Sequence, residues 1–352
     1  MSSIGVVTAL LILLMLLPGV GQAQPENAHI LNWHELAEEN FGADAAWYER
    51  NIPFLDISDP AITRVYYYRW KLYKAHLRDV GTHGYVVTEF LDRVPWDRHP
   101  LDTINDSAAF HIYEGRWLRN PFYMDSEITA MYPGGGNDRQ YSEWLADATC
   151  ARSLVTGDFS QAIRYLPFME KVYDGWDDHF DRTRGLYWIE PLFDATEYTI
   201  ASIDASGGAD GFTGGQSYRP SINSYMYANA RAISSLAHRA GDEATAKFYA
   251  ARADELQRNL KRDLWNPQLK HFTDRYEITN RFVRKGDVIR GRELVGFVPW
   301  YLHVSDGGSH YDTAWTHLLS QDELSGPFGM RTNEPSYQYL MRQYRYDKDT
   351  GL

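Results

Sequence analysis

"SINSYMYANARAISSLAHRAGDEATAKFYAARADELQRNLKRDLW", residues 221–265, is the stretch that decides the fold. In each half, apolar side chains recur every three or four residues, which is the spacing of one face of an α-helix. Gly241 stands between the halves, where a helix commonly ends in a left-handed residue. The stretch therefore predicts two antiparallel helices, 221–242 and 243–265, joined by a short loop.

The same helical spacing extends upstream and forms a repeat. It occurs at 61–80, 138–158 and 160–180. After each helix pair an aromatic residue opens a polar turn and a return strand; these residues are Phe180, Trp265 and Tyr346, 85 and 81 residues apart. Repeated helix pairs predict an all-α fold, a closed α/α toroid. The third copy stops at Leu352, so we expect the ring to be incomplete at its C-terminus.

Composition excludes some classes of partner and leaves one question open. The chain has 352 residues and a net charge of −12, so a nucleic-acid partner is not expected. Aromatic residues make up 14% of it, which indicates either a large aromatic core or a cleft whose rings stack on sugars. The single cysteine, Cys150, is expected inside a helix as a small buried residue.

The N-terminus predicts export. Residues 4–17 are an apolar run too short to span a bilayer comfortably, and Gly21 and Ala23 form a small-x-small cleavage site. We expect a signal peptide at 1–23 and a secreted or periplasmic protein with no stable membrane partner; a retained anchor is the lesser interpretation. Residues 24–84 are expected to form an N-terminal helical segment, and 85–352 a partial catalytic barrel.

Five segments together resemble a known group of enzymes. They are "FHIYEGRWLRNPFYM" (110–124), "YPGGGNDRQYSEWLADATCARSLVTGD" (132–158), "LFDATEYTIASIDASGG" (192–208), "SYRPSINSYMYANARAI" (217–233) and "GRELVGFVPWYL" (291–302). Their order and spacing are similar to those of the six-hairpin glycosidases, in the mannosylglycerate-hydrolase-like branch near glycoside hydrolase family 63 and trehalase. The resemblance implies an (α/α)6 barrel that hydrolyses a glycosidic bond with inversion, acting on an oligosaccharide or glycoside without a metal or other cofactor.

The same resemblance suggests the proton donor. The family's acid lies in the loop that "DATEYTIAS" occupies here, which makes Glu197 the expected acid and Asp194 a sugar-binding carboxylate or the alternative acid. Such an acid needs a raised pKa, which partial burial beside aromatic rings supplies. Both residues could instead be structural loop or capping carboxylates. The catalytic base is expected beyond the end of this chain; Glu334 is the only late carboxyl near a plausible loop, and it is not favoured.

Further substrate contacts are assigned by position in the resemblance. The expected contacts are Gln140, Trp144, Arg219, Asn223, Arg292 and Glu293. Trp144 is equally well explained as a core residue. Two rival functions are an α/α-toroid polysaccharide lyase, which the acidic balance disfavours, and a non-catalytic or truncated carbohydrate-binding product.

Overall fold

The computed structural model describes residues 31–94, 101, 103–305 and 307–340. The predicted signal peptide at 1–23 and the third repeat start at Tyr346 lie outside these residues. Among those described, no helix combines the length and the apolar character that crossing a membrane requires.

Helices make up most of the described structure. The α-helices are α1 (Trp33–Phe41), α2 (Ala45–Asn51), α3 (Pro60–His76), α4 (Asn105–Gly115), α5 (Phe122–Met131), α6 (Leu145–Thr156), α7 (Ser160–Gly175), α8 (Ile200–Ala205), α9 (Pro220–Ala240), α10 (Glu243–Asp263) and α11 (Val298–Tyr301). Short 3₁₀ helices cover Gly42–Asp44, Gly81–His83, Trp176–His179, Pro191–Asp194, Leu294–Phe297 and His310–Leu318.

The strands are short, and each pairs with one other strand in an antiparallel two-stranded sheet. They are β1 (Leu77–Asp79) with β2 (Tyr85–Val87), β3 (Phe180–Asp181) with β4 (Leu186–Tyr187), β5 (Ser217–Tyr218) with β8 (Arg275–Tyr276), β6 (Trp265–Asn266) with β7 (His271–Phe272), and β9 (Ser325–Gly326) with β10 (Gly329–Met330). The prediction of an all-α fold class is confirmed.

The helix pair predicted at 221–265 is present as α9 and α10. Pro220 occupies the first turn of α9, where its missing N–H costs no hydrogen bond. Gly241 ends α9 at φ 82°, and the Asp242 side chain then accepts a hydrogen bond from the Thr245 N–H (3.0 Å) to cap α10. Between the helices only two residues are left outside helical structure, so the two pack antiparallel.

Three long helical hairpins lie side by side. They are α4–α5, α6–α7 and α9–α10, and contacts run from α4 to α6, from α6 to α9 and from α9 to α11. The first turn of α6 is capped from the middle of α9: Asn229 Oδ1 accepts from the Ala146 and Asp147 N–H groups (3.0 and 3.3 Å). Asn229 Nδ2 also donates to the Glu143 carbonyl (2.9 Å). Cys150 lies buried in α6, as predicted.

The repeat is also confirmed in two of its three copies. After α7 the chain forms the β3–β4 ribbon, with Phe180 opposite Tyr187, and after α10 it forms the β6–β7 ribbon, with Trp265 opposite Phe272. Each ribbon leads into a long loop that ends where the next helix of the contact series begins. The loops before α6, α9 and α11 therefore hold most of the candidate site residues.

Candidate active site

The loop that carries Glu197 has an unusual backbone. Glu197 itself is exposed, and the residues flanking it, Ala195 and Tyr198, have φ angles of 51° and 60°. A positive φ is uncommon for residues other than glycine, and such strain persists only where the surroundings impose it. The Tyr198 N–H donates to the Gly211 carbonyl (2.7 Å), which fixes the C-terminal side of the loop.

Asp194 fixes the other side of the loop. Its carboxylate accepts hydrogen bonds from the Ser142 and Ser221 hydroxyls and from Arg219 Nε (3.1 Å). The same guanidinium donates from Nη2 to Thr196 Oγ1 (3.2 Å). Asp194 thus ties three segments of the chain together directly below Glu197.

Asp194 is predicted from the sequence to bind a sugar or to act as the alternative acid, but its geometry differs from what either role needs. Its side chain has no exposed surface, and both carboxylate oxygens already accept hydrogen bonds from the protein. Contact with a sugar would therefore require the loop to move. The sequence analysis also expects the acid to be partly buried beside aromatic rings, whereas the Glu197 side chain is exposed.

A buried charge cluster lies beneath the loop. The fully buried Arg219 forms ion pairs with Asp194 and with Asp274, and the charge of Glu293 acts on it as well. Burial raises the pKa of Asp274 to about 7; Arg219 opposes this rise, and the charge of Glu293 adds to it. Burial likewise raises the pKa of Glu293. One guanidinium cannot neutralise three carboxylates, so the cluster retains a proton in mildly acidic solution.

Glu293 and Arg292, predicted to clamp sugar hydroxyls, contact the protein instead. The buried Glu293 accepts from the Ile200 N–H (2.6 Å) at the start of α8. Arg292 pairs with Glu334 (2.5 Å) and Glu323 (3.3 Å). Glu334 is 4% exposed.

Two further predicted contacts are also enclosed by the protein. Trp144 is fully buried, and its ring packs edge-on against Phe110 and Tyr113, so the structure places it in the core. Asn223, also fully buried, accepts from the Tyr187 N–H and donates to the Tyr187 carbonyl (both 2.8 Å). The roles predicted for both side chains would require a rearrangement of the packed interior.

Gln140 is the predicted contact that lies near the exposed Glu197. It is partly exposed, and its side chain hydrogen-bonds Tyr141. Burial raises the pKa of Tyr141, and the charges of Asp106 and Glu197 add to the rise. Gln140 and Tyr141 therefore lie beside these two carboxyl groups.

Asp106, at the start of α4, is not among the site residues predicted from the sequence. Its carboxyl group is partly buried, and its Oδ1 atom has no hydrogen-bond partner. Burial raises the pKa of Asp106, and the nearby charge of Glu197 adds a smaller contribution of the same sign. The signal was the aspartate in second position of "NDSAAF" (105–110), but the small Ala108 and Ala109 weaken the helical pattern that would have placed it in the first turn of a helix.

Hydrogen bonds between loops connect the segments that carry Asp106 and Glu197. The Asn105 side chain donates to the Tyr141 carbonyl (2.8 Å), and the Ser142 N–H donates to the Phe193 carbonyl (2.9 Å). Tyr225 of α9 lies within range of both segments: burial raises its pKa, and the charges of Asp194 and Asp106 add to the rise. Within the described ranges, no three His, Cys, Asp or Glu side chains are arranged to hold a metal ion.

A family model of the mannosylglycerate hydrolase MGH1-like glycoside hydrolase domain matches residues 100–347. The chain belongs to this family. The match begins just before α4 and so includes the loop that carries Glu197, Asp106 and the buried cluster.

Solved structures similar to this glycoside hydrolase domain differ widely in identity. A protein named sialidase is 30% identical, with a TM-score of 0.78 over 89% of this chain and 29% of its own. The GH63 mannosylglycerate hydrolase of Thermus thermophilus, solved in complex with glucose, is 11% identical (TM-score 0.46; 57% of this chain, 56% of its own). The GH78 rhamnosidase of Bacillus sp. GL1 is 15% identical (TM-score 0.46; 66% and 24%). No curated protein matches the MGH1-like domain.

Proposed function

We propose that this chain carries the proton donor of an exported glycoside hydrolase that cleaves its substrate with inversion, and that Glu197 is that donor. Membership of the MGH1-like glycoside hydrolase family supports the reaction class. The chain spans about 29% of the length of the sialidase it matches, so the proposal concerns the activity of the whole protein.

One observation carries the assignment of Glu197. It is the exposed carboxyl of a loop whose flanking residues are strained and whose base is held by the buried Asp194. A general acid must reach the leaving oxygen of a substrate and must be held in a defined position. The Glu197 carboxyl is exposed on a loop whose backbone is fixed on both sides, whereas the Asp194 carboxyl is held in place but is buried.

The proposed mechanism needs a second carboxyl group. In inversion, an acid protonates the leaving oxygen while a carboxylate about 6.5–9.5 Å away deprotonates a water on the opposite face of the sugar. Asp106 lies near enough to Glu197 for the two charges to interact, and its unpartnered oxygen makes it the described carboxyl to test as that base.

The test is Glu197→Gln in the full-length protein. General acid assistance is typically worth ~10²–10⁴ in rate. We expect a loss of that size on an unactivated glycoside and a much smaller loss on a glycosyl fluoride, whose leaving group needs no proton. Proton NMR of the first-formed anomer reports inversion. Glu243→Gln, an exposed change on α10, is the control and should leave both rates unchanged.

Three results would contradict parts of this proposal. Full activity of Glu197→Gln would remove it as the acid, and a retained anomer would exclude inversion. Asp106→Asn with an unchanged rate would leave the base outside the described residues. For export, mass spectrometry of protein from the native host should find a mature N-terminus at Gln24; an intact Met1 in a cytoplasmic fraction would oppose it.

A further inference from the structure

A cavity of about 440 Å³ lies outside the segments that carry Glu197 and Asp106. Its walls come from the end of α8, from β8 and the loop that follows it, and from residues 338 and 339. Neither Glu197 nor Asp106 lines it. Pockets of about 300–1,000 Å³ are typical of small-molecule sites, so the volume is large enough for a sugar unit.

Polar groups line one side of the cavity. Asp204 accepts from Arg290 Nε (2.7 Å) and Nη2 (2.5 Å) and from the Tyr337 hydroxyl (2.9 Å). Tyr276 also lines the cavity; it is 3% exposed, and its hydroxyl has no hydrogen-bond partner. A buried hydroxyl without a partner is costly, and a ligand oxygen in the cavity would satisfy it.

Aromatic rings form the other side, and glycines allow them to lie there. A Cβ atom added at Gly207 would collide with the Phe282 ring, and one added at Gly208 would collide with the Tyr339 ring. Both glycines also have positive φ angles, 69° and 82°. The backbone thus lets two rings sit directly on it, and exposed ring faces beside hydrogen-bonding groups suit the apolar face and the hydroxyls of a sugar.

The charges of the lining select against acidic ligands. Asp204 and Asp287 contribute two carboxylates, and the single guanidinium of Arg290 is already paired with Asp204. The lining residues themselves therefore carry one excess negative charge, which disfavours uronates, sialates and phosphates; Arg281, which lies over the Phe282 ring at 4.4 Å, is the opposing cation beside them.

We propose that this cavity is a second carbohydrate-binding site, which takes one neutral hexose unit through the Tyr276 hydroxyl, the Asp204–Arg290 pair and the ring of Phe282. Glu197, the proposed acid, is not among the residues that line it. A glycosidase with such a site can hold a polymeric substrate at a point away from the bond that is cleaved.

The experiment measures sugar binding in the full-length Glu197→Gln protein, so that hydrolysis plays no part. D-glucose, D-mannose and L-rhamnose are titrated by calorimetry and saturation-transfer NMR, with N-acetylneuraminic acid as the acidic probe. We expect at least one neutral sugar to bind in the millimolar range, about 1–10 mM, and the acid not to bind this site.

Two variants locate the binding. Phe282→Ala should weaken it roughly tenfold through lost ring contact, and Tyr276→Phe roughly fivefold through one lost hydrogen bond. Phe248→Ala, a similarly exposed ring on α10, is the matched control and should change nothing.

The proposal is overturned if none of the three neutral sugars binds below about 50 mM, or if binding is the same in Phe282→Ala as in its parent. Preferential binding of N-acetylneuraminic acid, lost in Phe282→Ala, would also overturn the choice of a neutral ligand. A failure of Glu197 as the acid would leave each of these binding results unchanged.

Discussion

The loop that carries Glu197 and the buried cluster around Arg219 both contain carboxylates, yet they are built in opposite ways. Glu197 is exposed and makes no hydrogen bond within the described residues, while its neighbours adopt strained backbone angles. Asp194, three residues earlier, is fully buried and has both oxygens occupied. The difference indicates that a carboxylate available for chemistry is presented by the loop, while the buried carboxylates hold the loop in place.

Several mutations test this difference between the exposed and the buried carboxylates, and removal of Arg219 should give the largest effect among them. Arg219→Met leaves Asp194, Asp274 and Glu293 buried without a cation. Breaking a buried ion pair in this way typically costs about 3–5 kcal/mol. We expect a loss of that order in the free energy of unfolding, measured by urea denaturation, with loss of activity because Thr196 and Asp194 are released.

Arg182→Met is the matched control. Its side chain is 82% exposed, and its contact with Asp177 is long, at 3.9 Å. Surface pairs contribute about 0–1 kcal/mol, so this variant should unfold close to the parent. Equal midpoints for the two variants would show that the buried cluster does not stabilise the loop.

The sequence predicted the helices better than the site, for a physical reason. Helices such as α9 and α10 bury one face, so their apolar spacing is visible in the sequence. The α4 helix was missed because its buried face includes small alanines rather than large apolar residues. Loops carry no such period, and the burial of Asp194 depends on Asp274 and Arg219, which arrive from distant parts of the chain.

Asp194 and Glu197, the two carboxylates of the loop, show this limit of prediction from sequence more clearly. "DATEY" places Asp194 and Glu197 three residues apart with similar neighbours, and nothing local distinguishes the exposed one from the buried one. Ala195 and Tyr198, the residues with left-handed backbone angles that turn Glu197 outward, are not glycines, so the sequence does not mark these positions. The exposure of the acid could therefore be seen only in the folded chain.

The buried cluster should also make stability depend on pH. Burial raises the pKa of Asp274 from its ordinary value of 3.8 to about 7, with Arg219 opposing the rise. A raised carboxyl pKa gives stability that is fully present below about pH 4 and is lost as pH rises through about 7. We expect the urea midpoint to fall between pH 5 and pH 8.

Asp274→Asn tests the source of that dependence. The amide does not titrate, so the fall between pH 5 and pH 8 should become smaller, whatever the change in overall stability. Asp254→Asn, an exposed change on α10, should keep the full dependence. An identical pH dependence in Asp274→Asn and the parent would contradict the assignment.

The smallest expected effect concerns the strained loop. Ala195 has a φ of 51°, where glycine is favoured by roughly 1 kcal/mol, offset in part by the greater freedom of glycine in the unfolded chain. Ala195→Gly should therefore leave the free energy of unfolding unchanged or raise it slightly. Ala251→Gly, at an exposed position inside α10, should lower it by about 1 kcal/mol. Equal losses in both variants would show that the loop is not strained at Ala195.

The cap that Asn229 provides for α6 has a consequence for the order of folding. The first N–H groups of a helix need acceptors, and here the acceptor for Ala146 and Asp147 lies more than 80 residues later, in α9. The Leu145 N–H has a local acceptor in the Glu143 carboxylate. During synthesis, however, the α6–α7 hairpin emerges before the acceptor of Ala146 and Asp147 has been made, and these two N–H groups gain their cap only when α9 docks. The amide protons of Ala146 and Asp147 should thus exchange with solvent at a rate set by the undocking of α9, and each reports on assembly between neighbouring hairpins.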